Sequence, residues 1–117
     1  MQLKEITYDG QPPIDSYGPG FFRVEDKIHD GHLLMLPTGV FQWGGFDDLE
    51  KIIAAIDALD VIFIGTGADM AQIPAAARAI FEKNAVPFEV MASPSASRTY
   101  NILLSEGRRV GAALIAV

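Results

Sequence analysis

The chain has no cysteine, two histidines and one tryptophan among its 117 residues. Without a thiol it forms no disulfide, offers no sulfur nucleophile and builds no iron–sulfur or zinc-thiolate site of its own. Two imidazoles leave a small catalytic vocabulary. Positive charge is also scarce: 9 lysines and arginines stand against 15 aspartates and glutamates, a formal net charge of −6. Nucleic acid and anionic membrane surfaces repel such a chain on average. Its one compact basic dipeptide, Arg108-Arg109, is too small to reverse that field. No apolar run approaches the roughly 20 residues of a membrane-spanning helix. The opening Met1-Gln2-Leu3-Lys4-Glu5-Ile6 has neither the layout of a secretory signal nor the Arg-rich, acid-poor character of a transit peptide. These absences predict a cytoplasmic protein with no nucleic-acid partner and no direct membrane insertion.

What is present suits one domain, 1–117, with half its residues apolar, enough for a core of its own. Asp60-Val61-Ile62-Phe63-Ile64-Gly65-Thr66-Gly67 organises the rest. Its β-branched run is too short for a buried helix and reads as a strand covered on both sides. Before it, Leu3 to Tyr8 reads as a short strand closed by Asp9-Gly10. Pro12-Pro13 and Gly18-Pro19-Gly20 mark a loop, and Phe22 and Val24 alternate with Arg23 and Glu25 as in a half-buried strand. Asp30-Gly31 between apolar arms predicts a two-residue hairpin, and Pro37-Thr38-Gly39 a second turn into Val40-Phe41-Gln42-Trp43. The first half is thus an antiparallel meander.

After Gly44-Gly45 a helix is predicted, with Asp47 as its cap, Glu50 in capping-box position and Leu49, Ile52, Ile53, Ile56 and Leu59 on its inner face. A second helix spans about 73–83, with Pro74 in its first turn and Ile73, Ala77, Ile80 and Phe81 buried. Asn84 is its expected left-handed cap. Residues 86–91 form a strand. Ser93-Pro94 starts a third helix, the serine as cap, with Ala96, Tyr100, Leu103 and Leu104 inside and Gly107 closing it. Val110 to Val117 reads as an interior strand. Repeated strand–helix alternation predicts helices on a mixed, mainly parallel sheet with an antiparallel hairpin region before it.

Four places carry chemistry worth weighing. Gly65-Thr66-Gly67 follows a strand, where open α/β sheets bind ligands. Met70 stands where a dinucleotide loop needs a small residue, and no Lys-Ser/Thr pair makes a phosphate loop. The glycines serve either a strained turn or an anion held on backbone N–H groups. His29 and His32 would oppose each other across Asp30-Gly31, but a third metal ligand is lacking, so no metal is expected. Ser93, Ser97, Arg98 and Asn101 crowd the third helix. A cation near a helix start opposes the macrodipole, so Arg98 pairs internally or faces a ligand or partner. No base activates a serine there. Arg108 and Arg109 complement the C-terminal end of the same helix. Trp43-Gly44-Gly45-Phe46 is either core packing or an aromatic partner patch.

Taken together, Tyr17-Gly18-Pro19-Gly20-Phe21-Phe22-Arg23-Val24, Leu36-Pro37-Thr38-Gly39-Val40 with Trp43, Ile64-Gly65-Thr66-Gly67 and the segment from Arg98-Thr99-Tyr100-Asn101 to Val110 resemble a known family. It is the small domain shared by the mitochondrial respiratory complex I assembly factor 3 and uncharacterised bacterial and archaeal proteins. The resemblance implies a three-layer α/β domain around a mixed five-stranded sheet whose last strand runs antiparallel to its neighbours. It also implies no established catalytic residue, no cofactor, and protein partners drawn from respiratory complex subunits or assembly factors. Ala92 and Ser97 stand where many relatives have Asp and Cys. A non-enzymatic interaction protein is therefore the leading expectation. The rival is a small anionic-ligand binder or enzyme with Gly65, Thr66, Gly67, Ser93, Arg98 and Asn101 lining its pocket.

Overall fold

The structure, a computed structural model, describes residues 11–117; the strand expected at Leu3 to Tyr8 lies outside them. Among the described residues there are two sheets. The small one has the order β1 (Ser16–Gly18), β2 (Phe21–Val24), β3 (Lys27–Asp30), all antiparallel. The large one has five strands, β4 (His32–Leu36), β5 (Gly39–Trp43), β6 (Val61–Gly65), β7 (Phe88–Met91) and β8 (Val110–Leu114), in the spatial order β5-β4-β8-β6-β7. The described residues also form three helices, α1 (Glu50–Ala54), α2 (Ala75–Lys83) and α3 (Ser93–Ser105), with a 3₁₀ turn at Ile56–Ala58.

The sheet is mixed, as expected, and one strand runs against the others. β6 pairs in parallel with both β7 and β8, while β4 pairs antiparallel with β5 and β8. The reversed strand is therefore β4. The last strand, expected to oppose both its neighbours, is parallel to β6 and opposes only β4.

Alternation along the central strands sorts the core onto two faces. Leu34, Leu36, Ile62, Ile64 and Ala113 point to one side, where they meet Ile52 and Leu59 around α1 and Ala77 and Phe81 of α2. Leu33, Met35, Phe63, Ala112 and Leu114 point to the other, against Ala96 and Tyr100 of α3 and Phe22 and Val24 of the small sheet. This is the three-layer arrangement: α1 and α2, the large sheet, then α3 beside the small sheet.

Asp30-Gly31 does not make a hairpin. The two-residue turn is Glu25-Asp26, both in the left-handed region with φ of 53° and 65°, which pairs Val24 with Lys27. Gly31, at φ 82°, instead turns the chain from the small sheet into the large one. Covering decides this choice. β3 is largely exposed, whereas Leu33 to Leu36 are all buried and need a layer on each face. The second predicted turn is present, with Leu36 opposite Gly39 across Pro37-Thr38.

The first helix is shorter than its periodicity suggests, and Asp47 does not cap it. Asp48 holds the approach instead. Its carboxylate accepts from the Gly44 N–H at 2.9 Å, and its carbonyl accepts from the Trp43 indole at 2.8 Å. The helix tightens into the 3₁₀ turn after Ala54, where the Ala55 N–H bonds the Ile52 carbonyl at 3.0 Å. Leu59 still reaches the core. α2 ends at Lys83 as expected, but the left-handed residue comes one position later: Asn84 has φ −96°, and Ala85 takes that conformation at φ 55°. The Asn84 amide donates to the Ile80 carbonyl at 2.8 Å. Gly107 closes α3 at φ 82° as predicted, with the Arg108 N–H on the Leu103 carbonyl at 3.0 Å.

Candidate functional site

The loop after β6 and the start of α3 do come together, and they are bonded to each other. The Ser93 hydroxyl, fully buried, accepts from the Gly67 N–H at 2.9 Å and donates to the Ile115 carbonyl at 2.7 Å. The Ser93 N–H donates to the Gly67 carbonyl at 2.8 Å. Ser93 is thus a bridge between the loop and the segment after β8, and not the helix cap expected of it. Thr66 is equally committed: its N–H donates to the Met91 carbonyl at 3.0 Å, while its hydroxyl donates to the Asp69 carbonyl at 2.7 Å and accepts from the Ala71 N–H at 3.0 Å.

Gly65 is dictated by closeness. A Cβ there would lie 2.6 Å from the Ser93 hydroxyl and 2.8 Å from both the Ser93 Cα and Leu114. Gly67 has φ 106°, a conformation that L side chains rarely adopt. Of the two alternatives weighed for this loop, a turn or an anion site, the bonding is that of a turn: the N–H groups of Thr66 and Gly67 are both taken up within the protein.

Asn101 and Tyr100 hold the chain segment that crosses α3. The Asn101 amide accepts from the Ile14 N–H and donates to the Ile14 carbonyl, both at 2.8 Å, so one side chain pairs with a backbone as a neighbouring strand would. The buried Tyr100 hydroxyl donates to the Pro12 carbonyl at 2.8 Å. Burial pushes its ionisation well above the usual tyrosine range. Gln11 completes the strap by donating to the Val110 carbonyl. Tyr100 and Asn101, the heart of the most distinctive sequence segment, are therefore a clamp.

Arg98 stands five residues beyond Ser93, about 140° round the helix, and is exposed. Among the described residues it forms no ion pair, so the internal partner expected for it is not found there. Ser97 is buried and donates to the Ser93 carbonyl at 2.9 Å. Arg108 and Arg109 do more than complement a helix end. Arg109 donates to Asp60 through Nη2 at 2.8 Å, Nε at 3.2 Å and its backbone N–H at 3.1 Å, and Arg108 lies 3.8 Å from the same carboxylate. The Arg109 hydrogen bonds hold the Asp60 carboxyl below its ordinary range. This pair ties the start of β6 to the start of β8.

The two histidines separate. His29 pairs across β2 with Phe22, and His32 across β5 with Trp43; they do not face each other. The His32 Nδ1 accepts from the Ala116 N–H at 2.9 Å. Among the described residues no cluster of His, Asp and Glu has the makings of a metal site.

Trp43 is 2% exposed and packs edge-on against Phe46, with ring centroids 5.3 Å apart. It serves as core, and Phe46 alone of the pair reaches the surface. There it opens a feature that sequence reasoning missed, a groove of about 530 Å³ between α1 and α2 lined by Phe46, Leu49, Ile53, Ala77 and Ile80 with Asp47 and Glu50. Ile80 was placed in the buried stripe of α2 but is 41% exposed. The signal for the groove was Ile80 itself, one more apolar residue than the sheet face of a nine-residue helix can cover.

Among the described residues no helix is long and apolar enough to cross a membrane. Comparison with known proteins places the chain. Residues 14–115 match the family described as "Protein of unknown function (DUF498/DUF598)". An uncharacterised protein of Rhodobacter capsulatus is 45% identical over 98% of this chain and 93% of its own length. The NADH dehydrogenase (ubiquinone) 1 alpha subcomplex assembly factor 3 of Danio rerio is 30% identical over 87% of this chain; the match spans 63% of that longer protein. A crystal structure described as an outer membrane protein from Bartonella henselae superimposes with a TM-score of 0.83 at 32% identity, covering 95% of this chain and 99% of that one. These matches settle the family: the chain belongs to the DUF498/DUF598 family, with the complex I assembly factor 3 proteins among its relatives.

Proposed function

We propose that this chain is a non-enzymatic interaction protein of the cytoplasm that helps respiratory complex I, the NADH:ubiquinone oxidoreductase, to assemble. The observation that carries the reading is the match of 87% of the chain to a protein named for assembly of that complex. The site geometry is consistent with it. Ser93, Thr66, Gly67 and Asn101, the residues most suggestive of ligand chemistry, have polar groups engaged in hydrogen bonds within the protein. Working contacts then belong to the surface, with protein subunits or other assembly factors as partners, and contact with the membrane runs through them.

The test is co-purification from the native host under mild detergent, paired with deletion. Enrichment of NADH:ubiquinone oxidoreductase subunits, with loss of NADH-driven but not succinate-driven respiration on deletion, is the expected result. If no respiratory subunit is enriched and NADH-driven respiration is unchanged, the reading falls.

A further inference from the structure

The groove between α1 and α2 is the place where the fold leaves apolar surface unused. Its floor and walls are Phe46, Leu49, Ile53, Ala77 and Ile80, and among the described residues its only charged lining is Asp47 and Glu50, both exposed. Two basic residues of the flanking helices are engaged elsewhere, and Lys83 of α2 is not among the lining residues. Lys51 lies over the Phe41 ring at 5.3 Å, and Arg78 lies over the Phe88 ring at 5.4 Å, within 3.9 Å of Glu82. An apolar channel with an acidic rim and, among the described residues, no cation in its lining is complementary to one kind of occupant.

We infer that this groove receives an amphipathic helix of a protein partner, one that lays an apolar stripe against Phe46, Ile53 and Ile80 and carries lysine or arginine beside it to meet Asp47 and Glu50. The two helices that frame the channel leave it open between them, and a third seats there as in ordinary ridge-and-groove packing. The small Ala76 and Ala77 on the α2 wall let that helix come close. Opposite charge at the rim steers encounter and selects against acidic helices. The inference rests on the proposed role as an interaction protein and supplies the surface for it.

The probe is a fluorescein-labelled helical peptide of about 14 residues with leucines at helical spacing and lysines elsewhere, beside a second peptide with glutamate at every lysine position. Anisotropy should show binding of the lysine peptide only. Ile80→Glu should weaken it at least about tenfold. The double change Asp47→Lys with Glu50→Lys should reverse the preference toward the glutamate peptide. Both variants alter exposed side chains, and circular dichroism checks that they remain folded. Absence of binding, or equal binding to wild type and Ile80→Glu, overturns the inference. So does a wild-type dimer that Ile80→Glu dissolves, since the groove then belongs to a second copy. The two readings fail separately. Respiratory subunits that still co-purify with Ile80→Glu sink the groove alone, and groove binding without any such co-purification sinks only the assembly role.

Discussion

The two faces of the large sheet are closed by different means. On the α3 face, a long helix is drawn so close that Gly65 has no room for a Cβ, and Ser93, Tyr100 and Asn101 fasten it to three separate backbone segments. On the opposite face, the five-residue α1 and nine-residue α2 are short, and an open groove lies between them. The difference teaches where to look for work. Side chains whose polar groups are all engaged within the fold hold architecture, while apolar residues that the fold leaves half covered are available to something else.

Measurements of stability can break that comparison. Tyr100→Ala should do the most damage, because it empties a fully buried ring site and releases the Pro12 carbonyl; a loss of about 3–5 kcal/mol in urea unfolding is expected. Gly65→Ala follows, forcing Ser93 and Leu114 aside at about 1–3 kcal/mol. If that alanine is accepted without loss, the α3 face is not closely packed and the contrast fails. Asn101→Ala leaves both Ile14 backbone groups without their partner and should cost about 1–2 kcal/mol.

Asp60→Asn sharpens the picture through pH. The folded carboxyl titrates below its ordinary value of 3.8, so between the two values the unfolded chain binds more protons than the folded one. Its stabilisation is complete above the unfolded value and fades as pH falls through the folded one. The asparagine variant should therefore show a shallower loss of stability below about pH 4 by acid-titrated circular dichroism. The smallest effect belongs to the other face: Ile80→Glu should shift unfolding by no more than about 0.5 kcal/mol. A much larger loss would mean that Ile80 is a working part of the core.

Much of this division was legible in the residues themselves. β6 and β8 were readable because a strand covered on both faces has to be apolar without a break, and Phe22 and Val24 because a half-covered strand has to alternate. α3 was readable from Ser93-Pro94 and Gly107. The misreadings share one cause, a local signal outweighed by a distant partner. Asp30-Gly31 is a sound turn sequence, but Leu33 to Leu36 needed two covering layers and went to the large sheet. Asp47 sits at good capping spacing, but Trp43 and Gly44 engaged Asp48 and delayed the helix. Ser93 found its partners at Gly67 and Ile115, far along the chain. The clamp role of Tyr100 and Asn101 was hidden for the same reason, since Pro12 and Ile14 lie more than 80 residues away. The groove was hidden because it is formed by what two helices fail to fill.

β8 is last in chain order among the described strands, yet it lies between β4 and β6. Until it emerges during synthesis, the β4–β5 hairpin and the β6–α2–β7 unit have no strand to join them. Each presents a bare edge on its inner side. Completing the sheet thus waits for the most distant pairings, which is slow in proportion to the loops that must close. Nascent chains halted before Val110 are accordingly the form most exposed to edge-to-edge aggregation, and the form for which a chaperone bound at the ribosome would matter most.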